Sequence, residues 1–564
     1  MVNTSTQLAR AIVRDLISAG VTDVVMSPGS RSAALAFAFA QAQEVGLLKL
    51  HVRIDERDAG FLALGIAKAT RRIVPVLVTS GSAVANLYPA LVEAYQAGVS
   101  VLALTADRPL SVRGTTSPQT MDQENFFARF VTLALDVTDE QSAREIPQLL
   151  DQMNMMRRLP GQLNVQFEPP LMPEDVAWPE LEQITKNQTV SALNQISNTD
   201  TQLVRESGDM PAFPLELPAH GLIIVGDTNG VDWSAEISHF ASQLGWPVIW
   251  EPTSNVHGIP EAIAHGSLLL ASGAAPEPEC VVTIGTVGLS RSVLNVLKST
   301  AQHLAIHLPS NGPLIPDPVL TAKYMFNEIP QVRCIPDPGW MNIWEKASAK
   351  ASQVIDNALS THHLTGPNAS VCLWNHLPND SNLMVAASWP VRHLEAFAKP
   401  RPGLKAFGNR GVNGIDGLIS TAWGIAADSP TRSYLLIGDV ASLHDIGGFI
   451  VPQGTWQPDL TVVILDNDGG GIFSQLEQAQ AQYSAHFEHI FGTPHGKDLW
   501  VIFESLGIPA QRVTTVAELS TALVRTDTTK GIHVIVCTTG IRQDEVNLLN
   551  KISVDVAHTL AESR

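Results

Sequence analysis

Short apolar runs alternate with stretches of helical periodicity along almost the whole chain, and this alternation restricts the possible folds more than any other feature. The runs are Val21–Ser27, Val74–Ser80, Val101–Asp107, Leu163–Phe167, Gly221–Asp227, Trp246–Trp250, Cys280–Gly285, His303–Leu308, Asn382–Ala386, Tyr434–Ile437, Leu460–Leu465 and Ile532–Val536. Strands that alternate with helices predict parallel sheets covered by helices on both faces. The chain is therefore predicted to be an α/β protein built from three doubly wound parallel-sheet units.

The runs fall into three groups, which predict three domains at 1–180, 181–345 and 346–564. Residues 180–215 are rich in Asn, Thr, Gln and Ser and contain few large apolar side chains, which is typical of a linker or an exposed excursion. A predicted helix over Ile343–Leu359 leads into the third domain. The first and third groups resemble each other in type, which suggests a duplication.

Length and charge exclude several classes of protein. The 564 residues carry a formal net charge of −19, and this balance argues against binding to nucleic acid or to an anionic membrane surface. The sequence contains no apolar run long enough to span a bilayer, and the N-terminal residues lack the apolar core of a signal peptide. Four widely spaced cysteines predict neither a disulfide framework nor a zinc site. We expect a cytoplasmic protein.

Polar residues follow two neighbouring apolar runs of the last third. Asp439 follows the run Tyr434–Ile437, and Asn467 follows Leu460–Leu465 and stands next to Gly469. Because ligands bind at the carboxyl ends of parallel strands, we expect these groups to meet at one sheet edge. Carboxylate, amide and main-chain oxygens are ligands for Mg²⁺, which predicts a clamp for a metal and a diphosphate. The alternative is a helix cap followed by a tight turn. The pattern resembles the metal-binding signature of the thiamine diphosphate enzymes.

A carboxylate far upstream complements this clamp. Glu56 follows a short predicted strand and precedes the predicted helix Ala59–Lys68, while the strand Val74–Ser80 leads into a Gly-Ser turn and a helix of small residues. This arrangement suits the aminopyrimidine half of the cofactor. Taken alone, Glu56 is also explained as a favourable charge near a helix N-terminus.

Six segments carry a closer resemblance to a known family; they are Ser27–Ser32, Asp55–Arg57, Thr79–Ala90, Thr105–Pro109, Asn409–Gly417 and Asp466–Phe473. They resemble the 2-succinyl-5-enolpyruvyl-6-hydroxy-3-cyclohexene-1-carboxylate synthases of menaquinone biosynthesis. The resemblance covers essentially the whole chain and is weakest in the middle. It implies three domains of the thiamine diphosphate-binding type: a pyrimidine-binding domain, a central domain and a diphosphate-binding domain.

The resemblance also implies the reaction. The family decarboxylates 2-oxoglutarate on thiamine diphosphate and adds the succinyl carbanion equivalent to isochorismate in a 1,4 sense. The implied cofactors are thiamine diphosphate and Mg²⁺ or Mn²⁺. The implied assembly is a homodimer or a dimer of dimers with active sites at subunit interfaces.

The implied cofactor contacts fall on specific residues. Glu56 is the catalytic residue, which hydrogen-bonds the pyrimidine ring and stabilises its imino form. The metal ligands are Asp439, Asn467 and Gly469. The remaining cofactor contacts are Ser388, Ile415, Ala441, Ser442 and Ile472.

The implied substrate contacts are mainly arginines, because both substrates are dicarboxylates and a guanidinium matches a carboxylate. Ser388, Arg392 and Arg410 are assigned to the part derived from 2-oxoglutarate. The residues assigned to isochorismate are Arg31, Arg108, Gln119 and Arg291, and Ser30 is a further substrate contact. The apolar wall is assigned to Ile472, Phe473 and Leu476, although a short apolar cluster is equally typical of plain core.

Three positions depart from the family pattern. Arg291 stands where the family usually has Lys, and Ala387 and Pro118 stand where an Asn is expected. These departures concern the detail of hydrogen bonding and leave the reaction class unchanged.

Three other functions compete with this interpretation. Another thiamine diphosphate enzyme, such as an acetolactate synthase or a 2-oxo-acid decarboxylase, would share Glu56 and the clamp but would need fewer arginines. A regulatory protein on the same fold would be expected to lack Glu56 or Asp439, and both are present. A flavin- or NAD-binding protein would need GxGxxG after its first strand, and Ser27–Ser32 does not have that spacing.

Overall fold

A computed structural model describes residues 4–156, 159–173, 178, 181, 214–308 and 312–562. The described residues fall into two compact units. The first contains the described part of Met1–Thr201 together with Gly411–Asp428 and Asp445–Gln457. The second contains the described parts of Gln202–Arg410, Ser429–His444 and Pro458–Arg564.

The strands, labelled in chain order, are β1 Asp23–Met26, β2 Lys49–Val52, β3 Val74–Val78, β4 Val101–Asp107, β5 Leu133–Val137, β6 Gly161–Gln166, β7 Leu215–Glu216, β8 Gly221–Val225, β9 Val248–Trp250, β10 Cys280–Ile284, β11 Gln302–Ile306, β12 Tyr324–Phe326, β13 Val332–Arg333, β14 Ser381–Val385, β15 Leu404–Phe407, β16 Ser433–Gly438, β17 Leu460–Asp466, β18 Ala510–Val513 and β19 Ile532–Thr538.

The α-helices are Thr4–Ser18, Ala33–Glu44, Glu56–Thr70, Ser82–Ala85, Tyr88–Ala97, Glu140–Ala143, Ile146–Met156, Ser234–Leu244, Gly266–Ala271, Arg291–Ser299, Pro338–Leu359, Gly366–His376, Trp389–Phe397, Leu418–Ala426, Asp439–His444, Ser484–Phe487, Leu499–Ser505, Val516–Asp527 and Arg542–Ala561. Within the described ranges, none of these helices has the length and apolar character that a bilayer crossing requires.

The first unit is built on one parallel sheet, which has six strands among the described residues in the order β2-β1-β3-β4-β6-β5. Its helix Glu56–Thr70 packs closely on the helix Leu418–Ala426. Gly65 permits this packing, because a Cβ there would lie 2.1 Å from the carbonyl oxygen of Thr421. The amino end of the first helix is thereby fixed against the segment that follows residue 411.

The second unit contains two larger parallel sheets. Among its described residues the strand orders are β12-β11-β10-β8-β9 and β15-β14-β16-β17-β19-β18. One hydrophobic core joins the two sheets; for example, the Trp250 and Trp374 rings stack with their centroids 5.8 Å apart. The helix Pro338–Leu359 buries Trp340 and Trp344 in that core.

The predicted fold class is confirmed, because parallel sheets flanked by helices recur along the chain. Every apolar run named above overlaps a strand. The prediction missed β7 and β13, which form a separate two-stranded sheet, and β5, β12, β15 and β18, each of which lies at the edge of its sheet. The boundaries of the three predicted domains stay a prediction. The predicted linker at 180–215 lies almost wholly outside the described residues.

The start of one helix differs from the prediction. The helix predicted over Ala59–Lys68 begins at Glu56, and the Asp55 side chain caps it by accepting the Arg57 backbone N–H at 2.8 Å. Glu56 is therefore the first helical residue and does not lie on a preceding turn. The Asp55 cap is the reason, since a side-chain acceptor at the N-cap allows the helix to begin earlier than its apolar face.

Candidate active site

Asp439 lies directly after β16 and is buried in the second unit. Its Oδ2 accepts the backbone N–H of Gly469 at 2.8 Å, and its Oδ1 accepts the N–H of Val440 at 2.7 Å. Because β16 and β17 pair in register, the residues that follow the two strands meet at one edge of the sheet. The predicted clamp residues Asp439, Asn467 and Gly469 are therefore neighbours.

The donor set at this edge fits a hard cation bound to a phosphate. The amide oxygen Oδ1 of Asn467 is buried and has no hydrogen-bond partner within the described residues. Gly438 has no atom within 4 Å of the position that its Cβ would occupy, so there is open space beside Asp439. An unpartnered buried acceptor costs free energy unless a ligand satisfies it, and carboxylate and amide oxygens suit Mg²⁺.

Sequence analysis missed two further groups at this edge. Nε2 of His495 lies 3.3 Å from Asp439 Oδ2 and 3.6 Å from Asp466 Oδ1. Asp439, Asp466 and His495 place their ligand atoms within 4.8 Å of one another, close enough to share a metal ion. Burial and the neighbouring Asp439 carboxylate raise the pKa of Asp466 to about 6. The hydrogen bond to Asp439 raises the pKa of His495.

Ser388 lies at the N-terminus of the helix Trp389–Phe397 and adopts φ +71° and ψ −137°, a conformation that L-residues rarely adopt. Arg392 donates from Nη1 to the Ser388 carbonyl oxygen at 2.9 Å and so holds this turn. Strained backbone of this kind persists where the surrounding structure enforces it, and it concentrates at functional sites. Ser388 and Arg392, both assigned to the 2-oxo acid, are in direct contact.

The indole of Trp389 connects this turn to the glycine-rich turn after β17. A Cβ on Gly471 would lie 2.3 Å from the Trp389 ring, and the indole N–H donates to Gln475 Oε1 at 2.9 Å. The glycine-rich turn continues into a 3₁₀ helix, Gly471–Gln475. The predicted apolar wall lies here: Ile472 and Phe473 are in this helix, Leu476 directly follows it, and all three are half-buried. Their partial exposure leaves apolar surface at the edge of the sheet that also carries Asp439.

The charges of Arg291 and Arg410 both act on Arg392, and we call these three predicted arginines of the second unit the arginine cluster. Burial lowers the pKa of Arg392, and the positive charges of Arg410 and Arg291 lower it further, whereas Glu395 and Glu251 raise it. Two buried glutamates therefore accompany the cluster, and the sequence analysis did not identify either of them.

Glu56 is half-buried in the first unit, and its Oε2 accepts the side-chain N–H of Asn86 at 3.0 Å. Asn86 ends the short helix Ser82–Ala85, which the Ser80-Gly81 turn introduces. The carboxylate is thus held against the loop that the sequence assigned to the aminopyrimidine.

Three of the residues assigned to isochorismate, Arg31, Arg108 and Gln119, lie in the first unit, whereas Arg291 lies in the second. Arg108 donates from Nη1 to the Ser80 hydroxyl and, at 2.9 Å, to the carbonyl oxygen of Gln119. Arg31 donates to the carbonyl oxygen of Phe167 at 2.7 Å. Burial lowers the pKa of Arg31, and the nearby charge of Arg108 lowers it further. Two like charges held this close favour an anion between them.

The turn before Arg31 and the three positions that depart from the family pattern show further local features. Ser30 is exposed in the turn that precedes Arg31, and Gly29 is required there because its Cβ would lie 2.2 Å from Thr79 Cβ. Pro118 and Ala387, two departures from the family pattern, each precede a residue with positive φ, namely Gln119 at +57° and Ser388 at +71°. Arg291, the third departure, is exposed at the first position of its helix.

The turn that carries Ile415 is fixed by a buried carboxylate. Ile415 is 38% exposed, and two residues later the Gly417 N–H donates to Asp445 Oδ1 at 3.0 Å. Asp445 Oδ2 also accepts the N–H groups of Ile419 and Ser420 at 2.7 and 3.0 Å. Burial and the neighbouring Asp58 raise the pKa of Asp445 to about 8.

Ala441 and Ser442 lie in the helix Asp439–His444 and are buried. The Ser442 hydroxyl donates to the Asp439 carbonyl oxygen at 2.7 Å, which closes the first turn directly after the strand. The backbone of this turn is thereby placed at the edge of the sheet where the clamp residues meet.

Comparison with known proteins agrees with this geometry. The model of the N-terminal thiamine pyrophosphate-binding domain of thiamine pyrophosphate enzymes matches residues 6–126. A 2-succinyl-5-enolpyruvyl-6-hydroxy-3-cyclohexene-1-carboxylate synthase of Thermobifida fusca is 37% identical over 545 residues, 93% of this chain and 94% of the relative. Synthases of the same name from Saccharopolyspora erythraea and Kineococcus radiotolerans are 36% and 37% identical, covering 93% and 94% of this chain and 94% and 95% of theirs.

The fold and these matches define a thiamine diphosphate-dependent enzyme. The identity extends over nearly the full length of both chains. The chain belongs to the family of 2-succinyl-5-enolpyruvyl-6-hydroxy-3-cyclohexene-1-carboxylate synthases.

Proposed function

We propose that this enzyme decarboxylates 2-oxoglutarate and adds the remaining four-carbon unit to isochorismate in a 1,4 sense. Family membership supports the reaction. The metal-binding groups that meet at the carboxyl ends of β16 and β17 support its cofactor. The observation that carries the proposal is the buried Asn467 Oδ1, which has no hydrogen-bond partner in the described part of the chain and lies beside Asp439 where two adjacent parallel strands end. Bound thiamine diphosphate supplies the electron sink that 2-oxo-acid decarboxylation requires.

The proposed metal is Mg²⁺ or Mn²⁺. Asp439, Asn467 and the Gly469 carbonyl oxygen would hold it, and the backbone N–H groups of Ala441 and Ser442 would face the diphosphate. The near-buried position of Asp439 keeps its carboxylate away from bulk water, which strengthens its interaction with a cation. Glu56 would hold a proton at the pyrimidine ring.

Recognition of the substrates is assigned to the two groups of arginines. Ser388, Arg392 and Arg410 would bind the carboxylates of the 2-oxo acid, while Arg31 and Arg108 would bind isochorismate. Local arginines are needed because the chain carries a formal net charge of −19, so its overall field repels dianions. Ile415 and the half-buried Ile472 and Phe473 would provide apolar contacts that exclude water.

The assembly implied by the resemblance, a homodimer or a dimer of dimers with active sites at subunit interfaces, is part of the same proposal. Glu56 belongs to the first compact unit and the clamp to the second. In the proposed assembly, Glu56 of one subunit and the clamp of its partner would contact the same cofactor molecule.

Calorimetric titration with thiamine diphosphate in the presence of Mg²⁺ tests the cofactor site. We expect the unmodified protein and the Asn375→Ala control, in which the changed side chain lies outside the clamp, to bind the cofactor. Asp439→Ala and Asn467→Ala should lose most of that binding. Binding unchanged in both clamp variants would refute the assignment.

A substrate exchange tests the reaction. The enzyme should consume 2-oxoglutarate when isochorismate is present and should not replace it with pyruvate, because pyruvate lacks the second carboxylate that the arginines bind. Condensation of two pyruvate molecules would instead identify an acetolactate synthase.

A further inference from the structure

Two buried glutamates accompany the arginine cluster, and the proposed function gives them no role. Glu251 directly follows β9, and Glu395 lies in the helix Trp389–Phe397. Their side chains belong to the second unit and are 1% and 5% exposed. Glutamate is rarely buried to this degree without a charged partner or a function.

Glu251 is connected to two members of the cluster. Its Oε1 accepts the backbone N–H groups of Gly288 and Leu289, both at 2.9 Å, and so fixes the turn that precedes Arg291. Burial raises the pKa of Glu251, while the charge of Arg410 is the largest influence that lowers it. Its Oε2 is buried and accepts no hydrogen bond within the described residues. One carboxylate thus anchors the turn before Arg291 and interacts electrostatically with Arg410.

Glu395 lies three residues after Arg392, on the same face of one helix. The charged and polar groups that face it are Glu251, Ser290, Arg392 and Arg410. Burial and the Glu251 carboxylate raise its pKa to about 8, while the Ser290 hydroxyl and the two arginines act in the opposite direction. Glu251 is itself influenced by Asp227. With a pKa of about 8, Glu395 carries a proton at neutral pH, while the backbone N–H groups of Gly288 and Leu289 and the charge of Arg410 favour the ionised form of Glu251.

This arrangement has a consequence for anion binding. Three arginines with two ionised glutamates would be largely neutralised within the protein, whereas a single ionised glutamate leaves positive charge for a ligand. Fixed arginines also lose less conformational entropy when a carboxylate binds.

We propose that Glu251 and Glu395 are positioning residues for the arginine cluster, which keep Arg392 and Arg410 in the arrangement that binds the carboxylates of the 2-oxo acid. The inference rests on the proposed function, since that function assigns these two arginines of the cluster to 2-oxoglutarate. Glu251 acts through its charge and its contacts with the turn. Glu395 acts in its protonated form, which leaves the charges of Arg392 and Arg410 available to a ligand.

The test uses glutarate, a dicarboxylate without the reactive keto group, titrated by calorimetry into the cofactor-loaded enzyme at pH 7 and pH 9. The variants are Glu251→Gln and Glu395→Gln, both nearly isosteric. Asp317→Asn is the matched control, because Asp317 is a buried carboxylate of the same unit that also accepts two backbone N–H groups, from Val319 at 3.1 Å and from Ala322 at 2.7 Å.

Glu251→Gln should weaken glutarate binding at least about tenfold at both pH values, as expected for a lost charge-assisted contact. Glu395→Gln should bind glutarate within about threefold of the unmodified enzyme at pH 7, where Glu395 is protonated, and more tightly than it at pH 9. Asp317→Asn should match the unmodified enzyme. The KM for 2-oxoglutarate should rise in the variants in the same order in which their binding of glutarate weakens.

The inference is overturned if Glu251→Gln binds glutarate as tightly as Asp317→Asn does. It is also overturned if glutarate binding weakens equally in Glu395→Gln and in the unmodified enzyme between pH 7 and pH 9. Failure of the proposed function has a different signature: the unmodified enzyme would then bind glutarate without consuming 2-oxoglutarate, and the roles of the two glutamates would stand. An unmodified enzyme that does not bind glutarate refutes both.

Discussion

A lysine and a glutamate of the first unit form an ion pair that is almost entirely excluded from water. Lys68 Nζ lies 3.4 Å from Glu93 Oε1, and each side chain is 1% exposed. Glu93 also accepts the backbone N–H groups of Gly411 at 3.0 Å and Val412 at 2.7 Å. These two residues directly follow Arg410 in the sequence. We predict that Lys68→Met loosens this segment, because it removes the counter-charge of a buried carboxylate.

The size of the effect follows from the burial. Removing one partner of a buried ion pair costs about 3–5 kcal/mol, because the other charge is left uncompensated. Glu93 can limit this cost by taking up a proton, which for a carboxyl of ordinary pKa costs about 3.5 kcal/mol at pH 7 and about 1 kcal/mol at pH 5. The folded variant then binds a proton that the unfolded chain releases. Its stability must therefore fall as the pH rises from about 4.5 towards 7.

Hydrogen exchange of the Gly411 and Val412 amides measures this loss directly, because it reports local opening. After correction for intrinsic exchange rates, Lys68→Met should lower protection by roughly 300-fold at pH 7 and by about fivefold at pH 5. The double variant Lys68→Met with Glu93→Gln, which has no buried charge, should show no such difference between the two pH values. Equal loss of protection at pH 5 and pH 7 in Lys68→Met would show that packing rather than charge holds the segment, and would refute this reasoning.

Three further predictions concern catalysis and assembly. Glu56→Gln should bind thiamine diphosphate but turn over at least about 100-fold more slowly, which is checked by C2 proton exchange of the bound cofactor; exchange as fast as in the unmodified enzyme would contradict the role. Arg410→Ala should raise the KM for 2-oxoglutarate, and Arg31→Ala should raise the KM for isochorismate, each about 10–150-fold. Lysine at either position should recover only part of the loss. Equal effects of one variant on both substrates would show that the two arginine groups are wrongly assigned. Inactive Glu56→Gln and Asp439→Ala proteins, mixed and reassembled, should regain part of the activity, whereas a fully active monomer in sedimentation would exclude a shared site.

Sequence predicted the central strands of the three larger sheets and missed four of their six edge strands, β5, β12, β15 and β18, for one physical reason. A strand with neighbours on both sides is covered on both faces and reads as a continuous apolar run, as Leu460–Leu465 does in β17. Edge strands are partly exposed and mix polar with apolar residues. Leu133–Val137 and Ala510–Val513 are of this kind, because only Val137 and Val513 are buried in them.

The residues of the candidate site likewise fall into those that the sequence could predict and those that it could not. Asp439 and Asn467 could be predicted because they directly follow strands, where parallel sheets bind ligands. His495 could not, since it comes from an irregular segment that the fold brings back to Asp439. Glu251 carried the same strand-end signal after Val248–Trp250, but that strand lies in a different sheet from the clamp. Only the packing of the two sheets of the second unit shows that it faces the arginine cluster.

The most direct test of the proposed reaction is the stoichiometry of CO2 release against isochorismate consumption, measured on the purified enzyme with 2-oxoglutarate labelled at its 1-carboxylate. The proposal predicts one CO2 released for each isochorismate consumed, and no release when either isochorismate or thiamine diphosphate is omitted. Steady CO2 release without isochorismate would identify a simple decarboxylase, and isochorismate consumption without CO2 would contradict the proposed reaction altogether.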